Sequence, residues 1–139
     1  MQAIPYLAFA GQCEAAFSFY AKCLGGTIEA MLPHEGTPAA EGVPPEWRKK
    51  ILHASLKLGD GVLMGGDAPP SRQVKPQGFC VALQVKQPAE AERIFHALAE
   101  NGTVQMPIGE TFFAARFGML VDQFGIPWMI NCPRPDSQS

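Results

Sequence analysis

At 139 residues the chain suits one domain that buries its own core without disulfide or metal staples. Its 47% hydrophobic and 17% charged content belongs to a globular chain, not a disordered one. A formal net charge of −2 and one short basic run, Trp47-Arg48-Lys49-Lys50, argue against nucleic acid as a partner, because neutralising phosphates needs clustered Lys and Arg.

No apolar run approaches the roughly 18 residues of a spanning helix, and the N-terminus lacks the charged region of a secretory leader. The expectation is a cytoplasmic protein with no membrane partner. The cysteines agree with it. Cys13 and Cys23 fall about 15 Å apart along one proposed helix, too far to bridge, and there is no CxxC pair. All four read as buried or partly buried thiols, with a reactive thiol at Cys80 as the alternative.

Residues 4–9 read as the first strand. Gly11-Gln12 leads into a helix over residues 12–24, with Ala16, Phe19, Tyr20, Cys23 and Leu24 as its apolar face and Gly25-Gly26 as its stop. Residues 27–32 form the second strand. Residues 33–50 hold four prolines and two glycines without periodicity. A loop this long inside a small domain is either functional or a mobile insertion, and Trp47 favours function, because a large aromatic in a polar loop packs on something. In strand 51–58, Leu52, Ala54, Leu56 and Leu58 share one face and His53, Ser55 and Lys57 the other. Gly59-Asp60-Gly61 is a hairpin turn, residues 62–65 a fourth strand, and the Pro-rich stretch 68–77 a linker.

The order then repeats. Phe79, Val81, Leu83 and Val85 alternate as in a strand over 79–86. Pro88 opens a helix with Glu90 and Glu92 in its first turn, Ala91, Ile94, Phe95 and Leu98 follow at helical spacing, and Asn101-Gly102 closes it. Strands follow over 103–108, 116–121 and 126–132, with a turn at Asp122-Gln123-Phe124-Gly125 and a frayed tail over 133–139. Residues 13–30 also lie over 89–106 without gaps: Glu14 on Glu90, Ala15 on Ala91, Phe19 on Phe95, Gly26 on Gly102 and Thr27 on Thr103. One offset through helix, turn and strand marks an internal duplication. The fold class is therefore α+β: two tandem βαβββ modules, about 1–67 and 78–132, in a single domain, with helices outside and the open sheet faces curled around a shared cavity.

At this point the chain resembles the vicinal oxygen chelate superfamily of glyoxalases, bleomycin-resistance proteins and dioxygenases, within it the PhnB-like, demethylubiquinone methyltransferase-like branch. The resemblance rests on Pro5-Tyr6-Leu7, Glu14-Ala15, Phe17, Phe19-Tyr20, Leu24-Gly25-Gly26, Ile51-Leu52-His53-Ala54 and Leu63-Met64-Gly65 in the first half. In the second half it rests on residues 91–95, Phe117-Gly118-Met119, Asp122, Phe124-Gly125 and residues 128–131. It covers nearly the whole chain. The resemblance implies metal ligands, usually His and Glu, on four strands. Carried over, those positions fall near Pro5, Met64, Cys80 and Met129, of which only Cys80 is a plausible ligand for a divalent ion. No metal and no cofactor is therefore expected. The methyltransferase label finds no support either: Gly25-Gly26 ends a helix and Gly65-Gly66-Asp67 opens a linker, whereas a nucleotide-type cofactor site needs a Gly-rich turn between strand and helix.

The expected cavity is lined by Tyr6, His53, Ser55, Met64, Phe79, Phe117, Trp128 and Met129, with Glu110 as a polar candidate. Large soft side chains suit a hydrophobic or aromatic small molecule; alternatively they fill the cavity and leave nothing to bind. His53 is the best candidate for acid–base work, against a plain structural role in the sheet. Glu110 and Arg116, flanking residues 111–115, contact a polar ligand or form a solvated turn pair. Glu29, on the side of Thr27 and Met31, is a pocket carboxylate or an exposed charge. His34 and Glu35 have no further partners at metal spacing, and Asp67 caps the linker turn. The leading expectation is a metal-free binder of a small, largely apolar molecule, paired as a homodimer as this superfamily commonly is. The alternatives are a metal- or His53-dependent enzyme of glyoxalase or dioxygenase type, and a structural dimer with a filled cavity.

Overall fold

The computed structural model describes residues 1–135 and resolves two compact units, the first ending at Val74 and the second beginning at Lys75. The first contains β1 (Tyr6–Phe9), α1 (Cys13–Leu24), β2 (Thr27–Pro33), β3 (Ile51–Leu58) and β4 (Gly61–Asp67). The second contains β5 (Val81–Gln84), α2 (Pro88–Ala99), β6 (Thr103–Gly109), β7 (Ala114–Val121) and β8 (Pro127–Pro133). Each unit has one four-stranded sheet, in the orders β1-β4-β3-β2 and β5-β8-β7-β6. In each, the first and last strands run parallel and the other neighbours antiparallel. The architecture is α+β, as the alternating patterns and the duplication require.

Strand alternation fixes which side chains the helices cover. Leu7, Phe9, Ala54, Leu56 and Leu63 are buried with Ala16, Phe17 and Tyr20 of α1. In the second unit Val81, Leu120, Trp128, Ile130 and Cys132 are buried with Ala91, Ile94, Phe95 and Leu98 of α2. The first strands are shorter than their apolar patterns suggest. Pro5 and Pro127, lacking N–H groups, stand where pairing would otherwise continue: β1 begins after Pro5, and β5 first pairs at Val81↔Trp128. Of the expected tail, Pro133 closes β8, Arg134 bonds back to Glu110, and residues 136–139 lie outside the described residues.

The duplication holds most closely at the helix exit and the following strand. Gly25 and Asn101 both adopt the left-handed conformation, at φ 73° and 59°. The glycine after each presses on a neighbouring strand: a Cβ would meet the Lys57 carbonyl at 2.7 Å from Gly26 and the Val121 carbonyl at 2.4 Å from Gly102. β2 and β6 begin and end at matching positions, and both carry a register shift at the matching residue, Glu29 and Gln105. The helices differ. α1 buries Cys13, Ala16, Phe17, Tyr20 and Cys23, so Phe17 and not Phe19 enters the core, and its face is turned relative to that of α2. The identity of Phe19 with Phe95 is thus one of sequence position rather than of role.

The aperiodic stretch after β2 is ordered against the first unit. His34 N donates to the Lys50 carbonyl at 3.0 Å and Glu35 N to the Arg48 carbonyl at 2.7 Å, which closes its neck. Two short 3-10 turns, Pro38–Gly42 and Pro45–Trp47, fill it, the first capped by the Thr37 hydroxyl. Trp47 and Lys50 lie over Gly11, and Lys50 Nζ donates to the Gly11 carbonyl at 3.1 Å. Trp47 does find a packing partner in the β1–α1 turn.

Candidate functional site

The faces turned away from the helices carry the candidate chemistry, and each unit is described by itself. In the first, cross-strand pairing puts Tyr6, Met64 and Ser55 in one row, Tyr6↔Met64 and Ser55↔Met64. His53 follows on the same face. Its ring stacks on Tyr6 with centroids 5.9 Å apart and planes 23° apart. The Tyr6 hydroxyl reaches His53 Nδ1 at 3.5 Å and the Leu52 carbonyl at 3.4 Å, both long contacts. Partial burial, and secondarily the Cys13 thiolate, raises the phenol above its usual range. Four sequence-predicted residues therefore lie together on this face, although Ser55 is itself 8% exposed.

Asp67 proves more important than a turn cap. It is 6% exposed. Its Oδ1 accepts from Gly11 N at 3.0 Å and Cys13 N at 2.9 Å, and its Oδ2 from Ile51 N at 2.8 Å. One carboxylate thus ties the end of β4 to the start of α1 and to the start of β3.

In the second unit the corresponding face carries a row of sulfur. Met106 pairs with Met119 and Met119 with Met129, so three methionines cross β6, β7 and β8 side by side. Phe117 lies on the same face and packs edge-to-face on Phe113 at 5.1 Å. Beside this row is a cleft of about 640 Å³ whose apolar walls include Pro76, Phe79, Met119, Val121 and Pro127, with Cys80 also on its surface. Polar groups on the wall come from Lys75, Gln77, Thr103 and Gln105.

Trp128 does not join this face. It is 0% exposed, and its indole N–H donates to Asp122 Oδ2 at 2.8 Å. It pairs with Val81 and Leu120, both buried on the helix side. Adjacent residues of a strand point to opposite faces, so Trp128 and Met129 cannot both line one surface. Asp122 also accepts from Phe124 N and Ile126 N, at 2.8 and 3.0 Å, and so anchors both the last turn and the indole.

The charged candidates separate as well. Arg116 pairs with Cys132 on the helix side and donates to Glu92 of α2 at 3.2 Å. Glu110 instead meets Arg134 at 3.0 Å with most of its side chain in solvent, so the expected Glu110–Arg116 couple does not form. Glu29 is exposed at the β2 bulge, which turns Met31 to pair with helix-side Ala54 while Thr27 pairs with Lys57; the three do not share a face.

The residues present do not fit a divalent metal centre. Among the described residues no three His, Cys, Asp or Glu side chains converge, and two of the four strand positions that resemblance would use are thioethers. No helix of the structure is long and apolar enough to cross a membrane.

Comparison with known proteins agrees with this geometry. Protein YjdN of Escherichia coli strain K12 is 36% identical over 135 residues, covering 91% of this chain and 92% of that protein. The crystal structure of protein PA1353 from Pseudomonas aeruginosa superposes with a TM-score of 0.87 at 49% identity, over 96% of this chain and 98% of that one. A structure described as a putative 3-demethylubiquinone-9 3-methyltransferase, PhnB protein, from Bacillus cereus shares the fold, with a TM-score of 0.79 at 22% identity over 95% and 99% of the two chains. A family model matches residues 3–130, and with it the chain belongs to the Glyoxalase/Bleomycin resistance protein/Dioxygenase superfamily.

Proposed function

We propose that this protein is a metal-free binder of a small, largely apolar molecule, acting as a PhnB-like member of its superfamily. The observation that carries the reading is the Met106–Met119–Met129 row beside the Phe79 cleft. Methionine side chains are flexible and polarisable, so such a surface adapts to an apolar or aromatic ligand, while the few polar groups on the rim orient it. The volume of about 640 Å³ is in the usual range for such sites. We further propose that the protein works as a cytoplasmic homodimer. Large apolar side chains left in solvent, Phe112 at 93% exposure above all, support an association surface.

A thermal-shift screen of small aromatic and aliphatic compounds tests the binding role, because a ligand bound only by the native state raises the melting temperature. A hit should lose its shift in Phe79→Ala and Met119→Ala variants whose own melting transitions remain cooperative. If no apolar compound shifts the transition, or if both variants retain full binding, the reading is wrong.

A second reading rests on the Tyr6–His53 stack. A phenol within 3.5 Å of an imidazole nitrogen is an acid–base pair in outline, which keeps a metal-independent lyase or isomerase open. Retention of any discovered activity by His53→Ala would dismiss it.

A further inference from the structure

The first unit holds a second cavity that the apolar-binding role leaves unused. It measures about 340 Å³, and its wall sets Tyr6, His34, Asp67 and Arg72 among apolar neighbours such as Ala8, Leu52 and Pro69. We propose that it is a binding site for a small hydroxy carboxylate, with Arg72 taking the carboxylate and His34 the hydroxyl.

His34 is the centre of the case. It is 3% exposed, deeply buried for a histidine on a loop. Its backbone N–H and its Nδ1 both meet the Lys50 carbonyl, at 3.0 and 2.9 Å. A carbonyl oxygen only accepts, so Nδ1 must carry the proton. In the neutral ring that leaves Nε2 as a lone-pair acceptor, and Nε2 has no hydrogen-bond partner among the described residues. Nε2 is not among the buried polar atoms left without a partner, so solvent reaches it through the cavity, and a ligand hydroxyl takes the place of that water as donor.

Arg72 supplies the other half. It ends the short turn Pro70–Arg72, is exposed, and has no ion pair among the described residues. A guanidinium presents a planar fork that matches a carboxylate. Asp67 shares the cavity wall, but its oxygens already accept three backbone N–H groups, which offset its charge. The Tyr6 hydroxyl, held only by contacts of 3.4 and 3.5 Å, is a further donor to hand. Gly66, also on the wall, is packed too closely for a side chain: a Cβ there would stand 2.6 Å from the Leu52 carbonyl and 3.1 Å from the Tyr6 hydroxyl.

Calorimetric titration of the intact protein with glycolate, and with acetate as the analogue lacking the hydroxyl, tests the proposal. Glycolate should bind more tightly than acetate. Arg72→Ala, at an exposed turn, should weaken glycolate by about tenfold. His34→Asn should bring glycolate down to the affinity of acetate, because the Asn amide can still donate to the Lys50 carbonyl while the acceptor at Nε2 is gone. No binding of glycolate, equal binding of the two acids, or binding indifferent to Arg72→Ala would each overturn it. The cavity wall shares no residue with that of the apolar cleft, and glycolate is titrated without a cleft ligand, so failure here is separable from failure of the apolar cleft.

Discussion

Replacing Trp128 by Ala separates a core role from a pocket role most sharply. The side chain is 0% exposed in β8, against α2 and β7, and its indole N–H bonds to Asp122 at 2.8 Å. Truncating a buried Trp costs about 3–5 kcal/mol through lost transfer energy and the cavity left behind. Losing the bond to a buried carboxylate adds about 1–2 kcal/mol. The total, about 5 kcal/mol, is comparable with the whole stability of a modest domain, so the second unit should be largely unfolded at ambient temperature. Trp128→Phe keeps most of the ring and loses the N–H; it should cost about 1–2 kcal/mol and leave affinity in the Phe79 cleft unchanged. Urea unfolding followed by circular dichroism gives both costs, and titration of the Phe variant with a cleft ligand gives the affinity. A loss below about 1 kcal/mol for the Ala variant, or altered affinity in a Phe variant of native stability, would refute the placement of Trp128 in the core.

Asp67→Ala should cost about 3–5 kcal/mol, since it strips an acceptor from three backbone N–H groups, two of them in buried bonds; a cost under about 1 kcal/mol, with the Cys13 and Ile51 amides still protected from exchange, would show that water takes its place. The Cys13 thiol is pushed up to about 12, first by burial and then by Asp67 and Glu14, so a short iodoacetamide pulse near neutral pH should modify half-buried Cys80 well before Cys13, as read by peptide mass spectrometry. The same shift sets a sign for alkaline stability. The unfolded thiol ionises from its ordinary value of 9.0, the folded one only near 12, so the contribution is intact below pH 9 and is lost as pH rises through that window. A Cys13→Ala variant should therefore show a flatter fall in stability across that range, and an unchanged slope would contradict the assignment.

Two βαβββ modules were legible in the chain because their signals are local. Alternation in 51–58, the 3.6-residue spacing of Ala91, Ile94, Phe95 and Leu98, and the Gly-Gly and Asn-Gly helix stops each operate within a few residues. The shared offset of residues 13–30 and 89–106 was equally visible, down to the left-handed residue that ends each helix. The common face of His53 and Ser55 was legible for the same reason, since period-2 alternation assigns a face once one face is plainly apolar; that Tyr6 and Met64 share it follows from strand pairing. Trp128 was open to the same argument: Ile126, Trp128, Ile130 and Cys132 alternate with Pro127, Met129 and Asn131, which already marks the Trp128 side of β8 as the apolar one, and its register against β5 and β7 places that side on the helix.

What the tertiary structure decided depends on contacts between distant segments. The bulges at Glu29 and Gln105 shift alternation by one residue without any sequence sign that single-chain periodicity detects. Arg116 meets Glu92, Glu110 meets Arg134, and Asp67 gathers Gly11, Cys13 and Ile51, because backbone positions far apart in sequence converge only when the sheets form. His34 looked like an isolated residue in a Pro-rich loop. Its burial and its protonated Nδ1 emerge only when that loop closes on the Lys50 carbonyl. Sequence alone determined the elements and their order; pairing register and loop closure, which are non-local, determined the site.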